Sequence, residues 1–112
     1  MLLAAHVSYA ATVRGTVDPG KAYLISGMPV ASKTATVLKF VFENKTENTS
    51  LSLCAGTAKD FSAGTCAMNL VTSGGPGFQF LSIVDSTQLT GKLLFVVNTE
   101  GSVKSDFVLT VE

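Results

Sequence analysis

The sequence predicts an all-β protein, a single antiparallel β-sandwich of jelly-roll or immunoglobulin-like type with seven or eight short strands. Three observations lead to this prediction. Apolar and polar residues alternate with a period of two in most segments. Turn-forming residues recur about every 8 to 12 positions, which is typical of a sandwich. No window of about 11 residues has the periodicity of an amphipathic helix.

The first half of the chain contains four predicted strands. Residues 11–17 and 22–26 are short β-rich runs on either side of an Asp-Pro-Gly turn at residues 18–20. Residues 36–42 place Leu38, Phe40 and Phe42 on one face. After a polar turn at residues 44–48, residues 49–55 alternate leucine with serine, so these two runs predict an antiparallel hairpin.

The second half begins with the strongest turn signal in the chain, Ser-Gly-Gly-Pro-Gly at residues 73–77. Residues 78–84 follow as a strand whose alternation slips, which predicts either cover on both faces or a β-bulge. Residues 92–98 are apolar on both faces, which is typical of a central strand. The final predicted strand places Phe107, Leu109 and Val111 on one face.

Composition and charge limit the classes of protein to consider. The 112 residues are enough for one domain, which we assign to residues 11–112. The chain is 46% hydrophobic and 14% charged, with a formal net charge of zero. Because it has no basic stripe, the sequence argues against nucleic acid and anionic membranes as partners. No stretch approaches the roughly 20 apolar residues that a transmembrane segment needs.

Residues 1–10 have two interpretations, a signal-peptide remnant or a first structured segment. They are apolar and end in Ser8-Tyr9-Ala10, with small residues at the two positions that a signal peptidase requires. They lack a basic region at the start, and the apolar stretch is short for a leader. The leader interpretation predicts a secreted, periplasmic or cell-surface protein.

Cys54 and Cys66 are the chain's two cysteines, and we expect a disulfide between them. An even count in a small, leader-like, loop-rich chain favours this pairing over two buried free thiols. The bridge would tie the base of a hairpin-like loop and stabilise the fold by about 3 kcal/mol. Two thiolates with no nearby histidine do not complete a zinc site.

The residue types needed for catalysis are mostly missing. His6 is the only histidine and lies in the leader-like segment, which argues against Ser-His and Cys-His nucleophiles. The carboxylates fall in predicted turns or near the termini, and the chain has no tryptophan to wall a sugar site. The sequence therefore predicts a protein that is not an enzyme, with no catalytic residues and no cofactor.

One polar turn offers weak candidate sites of other kinds. Glu43, Asn44, Glu47 and Asn48 gather four oxygen-bearing side chains, the best local group for Ca²⁺. Asn44 and Asn48 also begin Asn-x-Ser/Thr acceptor sequences, which predict exposed glycosylation sites if the source is eukaryotic.

Two loops are the predicted binding elements, because loops on a rigid sandwich commonly carry binding. The first is residues 57–65, between the cysteines, and the second is the rim at residues 73–77. Their candidate contact residues are Lys59, Asp60, Phe61, Gly74, Gly75 and Pro76.

Strand faces are a further candidate surface. Four residues fall on outer faces if the opposite faces fill the core, namely Val37, Val41, Leu94 and Val96. The alternative is that both faces are internal.

The C-terminal half resembles bacterial pre-peptidase C-terminal-type domains, which are small exported β-sandwiches appended to secreted hydrolases. The similarity lies in residues 51–54 (Leu-Ser-Leu-Cys), in residues 91–97 with their glycine followed by an apolar strand, and in the closing Phe-x-Leu-x-Val of residues 107–111. The turn at residues 18–23 is similar to the family's opening turn and strand. The resemblance covers roughly residues 12–112. It implies an accessory or binding module. Residues 48–53 lack the family's acidic strand, so no ligand site is carried over.

Three functions are consistent with these observations. The first is a non-enzymatic exported binding or accessory module that recognises a carbohydrate, a cell surface or a protein through its loops. The second is a structural subunit of a fimbria-like or surface assembly, in which chains associate by strand exchange through an edge strand. The third is a secreted inhibitor of a hydrolase, for which the constrained loop between the cysteines could serve.

Overall fold

A computed structural model describes residues 11–25, 37–47, 49–77, 79–98 and 103–111 of the chain. Within them it has eight strands and two short helical segments. The elements, in chain order, are β1 (Ala11–Val17), β2 (Ala22–Ile25), β3 (Val37–Asn44), β4 (Leu51–Gly56), α1 (Ala58–Ala63), β5 (Met68–Ser73), β6 (Phe80–Asp85), a 3₁₀ turn (Ser86–Leu89), β7 (Leu93–Asn98) and β8 (Ser105–Val111). Residues 1–10, predicted as a leader remnant or a first structured segment, and residue 78, predicted as the start of a strand, lie outside the described residues.

The strands form two four-stranded antiparallel sheets, which confirms the predicted β-sandwich. Sheet I has the order β1-β8-β3-β6, and sheet II has the order β2-β7-β4-β5. Most connections cross from one sheet to the other, and β4 and β5 are the exception because they are consecutive strands of sheet II. The predicted hairpin of β3 with β4 is therefore wrong, since these two strands belong to different sheets.

The main core lies between the sheets and follows the predicted alternation of sheet I. Side chains of β3 and β8 point inward at every second position because successive side chains of a strand face opposite ways. The buried residues of these two strands include Leu38, Phe40, Phe42, Phe107, Leu109 and Val111. At the edge of the core, the Tyr23 ring packs edge-on against Phe107 with 5.3 Å between centroids. A Cβ atom at Gly15 would lie 2.8 Å from the Tyr23 ring and 2.9 Å from Phe107, so any larger residue there would force these two rings to shift.

The central strands of sheet II, β4 and β7, are buried on both faces, which the sequence indicated for β7 and not for β4. Leu94 and Val96 belong to the main core and not to an outer face. Cys54, Phe95 and Val97 form a second apolar cluster on the outer side of the sheet. Every residue of β4 is buried.

Ser52, in the same strand, was expected on a polar face. It is 4% exposed, and its hydroxyl shares a 2.9 Å hydrogen bond with Thr72 on the neighbouring strand. This partner satisfies the hydroxyl and makes its burial tolerable.

The slipped alternation of residues 78–84 predicted either cover on both faces or a β-bulge, and β6 has neither. Its register with β3 is unbroken from Phe80 to Asp85. Phe80, Ser82 and Val84 face β3's core residues, while Leu81 and Ile83 point outward. Among the described strands, a register shift lies instead between β4 and β5: Leu53 pairs with Val71 and Cys54 with Asn69, so Leu70 of β5 is the extra residue.

Two buried asparagines, Asn44 and Asn98, are the last residues of β3 and β7. Asn44 Nδ2 donates to the carbonyl and the hydroxyl of Thr49, at 3.0 and 2.8 Å. Asn98 Nδ2 donates to the carbonyl oxygens of Val17 and Val103, at 3.1 and 2.8 Å. Each side-chain amide donates to backbone carbonyl groups of a connection between the sheets. Without this donor, the buried carbonyl groups would be unpaired.

Candidate functional site

The predicted disulfide is present, and the loop that it ties forms a helix where the sequence predicted a hairpin-like reversal. Cys54 and Cys66 are joined at 2.05 Å, across a sequence separation of 12. Thr57 is the N-cap of α1. Its hydroxyl accepts from the Asp60 amide at 3.1 Å, and the Asp60 carboxylate accepts from the Thr57 amide at 3.0 Å. Gly64 ends the helix in the left-handed conformation, with φ of 70°.

Helix α1 covers the outer face of sheet II. It contacts β2, β4 and β7. The Phe61 ring packs edge-on against Phe95 at 5.7 Å, above the disulfide and beside Val97. Of the three residues proposed as binding contacts here, Phe61 is therefore half-buried in packing and Asp60 is engaged in the cap, while Lys59 is exposed. The loop between the cysteines has a structural role as a cover.

The glycine rim at residues 73–77 lies elsewhere, between the edge strands β5 and β6. Gly74 is exposed, and Gly75 and Pro76 are half-buried. The Gly77 amide donates to Glu43 Oε2 at 3.2 Å, so the rim is attached to β3 of sheet I. The structure does not bring the two predicted binding loops together: residues 57–65 follow the end of β4, whereas the glycine rim begins at Ser73, which pairs with Leu51 at the start of β4.

The outer face of sheet I, here called the open face, is not covered by any described residue. Directly paired residues of an antiparallel sheet share a face, so the strand registers define which side chains it presents. Its polar half, nearest β1, carries Thr12, Arg14, Thr16, Asp106 and Thr110. Its apolar strip, nearest β6, carries Val37, Val41, Leu81 and Ile83, with Lys39 among them.

The apolar strip is highly exposed. Ile83 is 71% exposed, Val37 67% and Leu81 59%. On the outer face of sheet II, by contrast, Leu24 at the β2 edge is 39% exposed, and the central Phe95 is buried. Val37 and Val41 were predicted as outer-face residues, and the structure places both of them on the open face, with Val41 half-buried.

A groove of about 480 Å³ opens on the polar half of this face. Its lining residues are Arg14, Gly15, Thr16, Lys45, Asp106, Phe107 and Val108. Thr16 Oγ1 donates to Asp106 Oδ1 at 2.5 Å. Lys45 Nζ lies 3.2 Å from Glu43 Oε2. Arg14 is exposed, and its guanidinium has no hydrogen bond or ion pair with the described residues.

The carboxylates with shifted pKa values are all held in their ionised form. The Gly77 amide, and then the Lys45 ammonium, lower the pKa of Glu43. The backbone N–H and hydroxyl of Thr57 lower the pKa of Asp60. Those of Thr87 lower the pKa of Asp85, which caps the 3₁₀ turn. A general acid at neutral pH needs a raised pKa, so these three groups serve capping and loop attachment.

The polar turn after β3 is largely committed to contacts within the protein. Asn44 is fully buried, so the expectation of an exposed glycosylation acceptor is wrong for this residue, whose Nδ2 donates to Thr49. Asn44 Oδ1 accepts from the Thr46 amide at 3.0 Å, and Glu43 is engaged as described above. Glu47 is exposed, and Asn48 lies outside the described residues. Across the part of the chain that the structure describes, no three acidic, histidine or cysteine side chains form a metal-binding group.

Sequence reasoning missed the groove at Arg14. The available signal was weak: a single arginine at an alternate position of a threonine-rich strand. Whether that strand face is open or covered depends on where α1 packs, which no local pattern contains.

Comparison with known proteins gives no relative. No protein-family model matches the chain, and no curated protein or solved structure is significantly similar to it. Among the described residues, no helix is both long and apolar enough to cross a membrane.

Proposed function

We propose that this protein is an exported, non-enzymatic binding module that holds a protein partner on the open face of sheet I. The observation that carries the proposal is the difference between the two outer faces. Sheet II is covered by α1 and the disulfide, whereas sheet I exposes Leu81 and Ile83 side by side with Val37. An exposed apolar patch with a polar border is typical of a protein-interaction surface.

The composition of the open face favours a protein over a carbohydrate. Sugar sites usually offer an aromatic ring for stacking, and the described residues of this face include none. Burying an aliphatic side chain contributes about 1.5–3 kcal/mol, so three such residues supply a useful part of a binding free energy. The half-buried Val41 and Val108 continue this surface toward the polar half.

Export is supported by two features of the sequence and fold. The disulfide is of the kind that persists in oxidising compartments. Residues 1–10 have the composition of the end of a leader. The absence of a histidine from residues 11–112 supports a role without catalysis.

The proposal is tested by site-specific crosslinking followed by reconstitution. A photoreactive amino acid is placed at Ile83, and in a matched variant at Lys59, which is exposed on the covered side. The two proteins are irradiated on cells of the source organism, and crosslinked partners are identified by mass spectrometry. A purified partner is then titrated against the wild type and Ile83→Asp. We expect crosslinking from position 83 alone and at least about tenfold weaker binding by Ile83→Asp.

Equal crosslinking from both positions, or unchanged affinity of Ile83→Asp, would refute the open face as the binding surface. The variant should fold normally, because Ile83 is 71% exposed and surface substitutions change stability by only about 0.5 kcal/mol.

A second candidate function, a subunit joined by strand exchange, is favoured by the edge of β6. Among the described residues, β6 pairs with β3 on one side and with no strand on the other. Edge strands are usually protected by lysine, proline or a bulge, and β6 has none of these between Phe80 and Val84. Sedimentation velocity distinguishes the two functions: concentration-dependent assembly that Leu81→Lys abolishes would favour strand exchange, and a monomer at all concentrations would exclude it.

A further inference from the structure

Arg14 is the chain's only arginine, and its guanidinium is uncommitted within the described structure. It projects from the middle of β1 onto the open face, where it pairs in register with Val108 of β8. Thr12 and Thr16 lie on either side of it in the same strand and on the same face. A guanidinium has five N–H donors in a planar fork, so this residue presents a set of donors without acceptors.

The described acidic side chains nearest Arg14 accept hydrogen bonds from groups other than its guanidinium. Glu43 Oε2 accepts from both Lys45 and the Gly77 amide. Asp106 Oδ1 accepts from Thr16. Among the described residues, the Lys45 ammonium of the groove pairs with Glu43, whereas the Arg14 guanidinium pairs with no carboxylate.

The chemistry of the missing partner follows from the fork geometry. Guanidinium binds carboxylate in a bidentate manner, with two parallel N–H···O bonds, and these charge-assisted bonds are stronger than neutral ones. The groove volume of about 480 Å³ is ample for an acidic side chain. Val108 and the aliphatic part of Thr16 offer apolar contact to the methylene groups of an aspartate or glutamate side chain.

The distance between Arg14 and the apolar strip indicates how far apart the acidic and apolar residues of the partner must lie. Arg14 on β1 and Leu81 on β6 are separated by three strand spacings, or about 14 Å across the sheet. An extended segment advances about 3.3 Å per residue, so about four or five positions span this distance. A partner segment that crosses the strands can therefore reach both regions.

From these observations we infer that the groove at Arg14 is a carboxylate subsite, which receives an aspartate or glutamate side chain of the protein partner about four or five positions from that partner's apolar residues. This inference rests on the proposed function, because it assigns a specific contact to the same open face. It adds the class of residue that the partner must present.

The single arginine makes the test direct, because the protein has one Arg Nε–Hε cross-peak in a ¹⁵N–¹H spectrum. The probe is a blocked ten-residue peptide with one glutamate and, four positions later, a leucine-valine pair; its glutamine counterpart is the control peptide. We expect the glutamate peptide to shift the Arg14 Hε resonance saturably, and to bind about tenfold or more tightly than the glutamine peptide.

Protein variants separate the subsite from general charge. Arg14→Gln should bind both peptides equally weakly, and Arg14→Lys should recover only part of the preference because an ammonium lacks the fork. Lys59→Gln removes one positive charge from the other side of the molecule and should keep the full preference. The remaining amide cross-peaks verify that each variant is folded.

The outcomes also distinguish this inference from the proposed function. No saturable shift below about 10 mM peptide, or equal binding of the two peptides, would overturn the subsite. If Ile83→Asp abolishes binding while Arg14→Gln has no effect, the open face stands and the subsite fails. If Arg14→Gln removes the preference while Ile83→Asp changes nothing, the subsite stands without the apolar strip. Tighter binding of oligogalacturonate than of the glutamate peptide would identify a sugar acid as the occupant and overturn the assignment to a protein.

Discussion

Reduction of the Cys54–Cys66 disulfide should lower the free energy of unfolding by about 3 kcal/mol. The magnitude follows from the sequence separation of 12, because cross-linking a loop of about this size removes that much conformational entropy from the unfolded chain. Domains of this size are stable by about 5–15 kcal/mol, so the bridge contributes a large share of the total. The melting temperature should fall by about 10 to 15 °C.

The assay is urea unfolding followed by far-ultraviolet circular dichroism, with and without a phosphine reductant. The double variant Cys54→Ala/Cys66→Ala is the matched control, since the reductant should not affect its unfolding curve. The reduced protein should also lose protection of the α1 amides from hydrogen exchange, because the helix is then attached to sheet II mainly by Phe61 on Phe95. A change in unfolding free energy below about 1 kcal/mol would refute the reasoning that the bridge restricts the unfolded chain.

Four further predictions concern single residues, each measured by urea unfolding. Thr57→Ala removes the N-cap of α1 and should destabilise by about 1 kcal/mol, with Thr57→Ser close to the wild type. The pKa of Asp60 is lowered in the folded protein, so its ionised carboxylate stabilises the fold; this stabilisation is complete above the unfolded pKa of about 4 and is lost as the pH falls through the folded value. Asp60→Asn should therefore reduce the loss of unfolding free energy at acid pH. An unchanged loss would contradict the role of Asp60 in the cap. Gly15→Ala should destabilise by about 1–3 kcal/mol, since its Cβ would lie 2.8 Å from an aromatic ring, whereas wild-type stability would show that the ring moves freely. Asn98→Ala leaves two backbone carbonyls without their donor and should destabilise by about 1–3 kcal/mol; a smaller effect would mean that water replaces the amide.

The sandwich could be predicted because its determinants are local. The alternation of β3 identified Leu38, Phe40 and Phe42 as inward residues without any knowledge of the other strands. The turn at residues 18–20 was identified by Pro and Gly, and the Lys21 amide closes it on the Asp18 carbonyl at 3.1 Å.

The features that the sequence did not reveal depend on tertiary packing. Helix α1 has six residues, fewer than two turns, which is too short for a helical period to be visible. Its one local signal was the Thr57-x-x-Asp60 spacing of a capping box. The leucine-serine alternation of β4 likewise predicted one polar face, and Ser52 is buried because β4 is a central strand and Thr72 of β5 satisfies its hydroxyl.

The candidate site was hidden for the same reason. An alternating strand shows which side chains share a face, and it does not show whether another element covers that face. Arg14 and Ile83 could be placed on outer positions only when the position of the helix was known. The predicted binding loops were chosen by composition, and the structure uses one of them as a cover and attaches the other to Glu43.

The order of strands in sheet I has a consequence for how the protein is made. Of the strands that the structure describes, β1 pairs with β8 alone, so the first of them has no neighbour in its sheet until the last one has been synthesised. Pairing between strands so far apart in sequence slows folding, because the long intervening segment must form a closed loop before these two strands can make contact. Among the described strands, β4 and β5 are the one neighbouring pair that is consecutive in the chain, and the disulfide links β4 to the segment just before β5, so this pair can assemble early. Sheet I can therefore be completed only after β8 has been synthesised, whereas β4 and β5 of sheet II can pair before that.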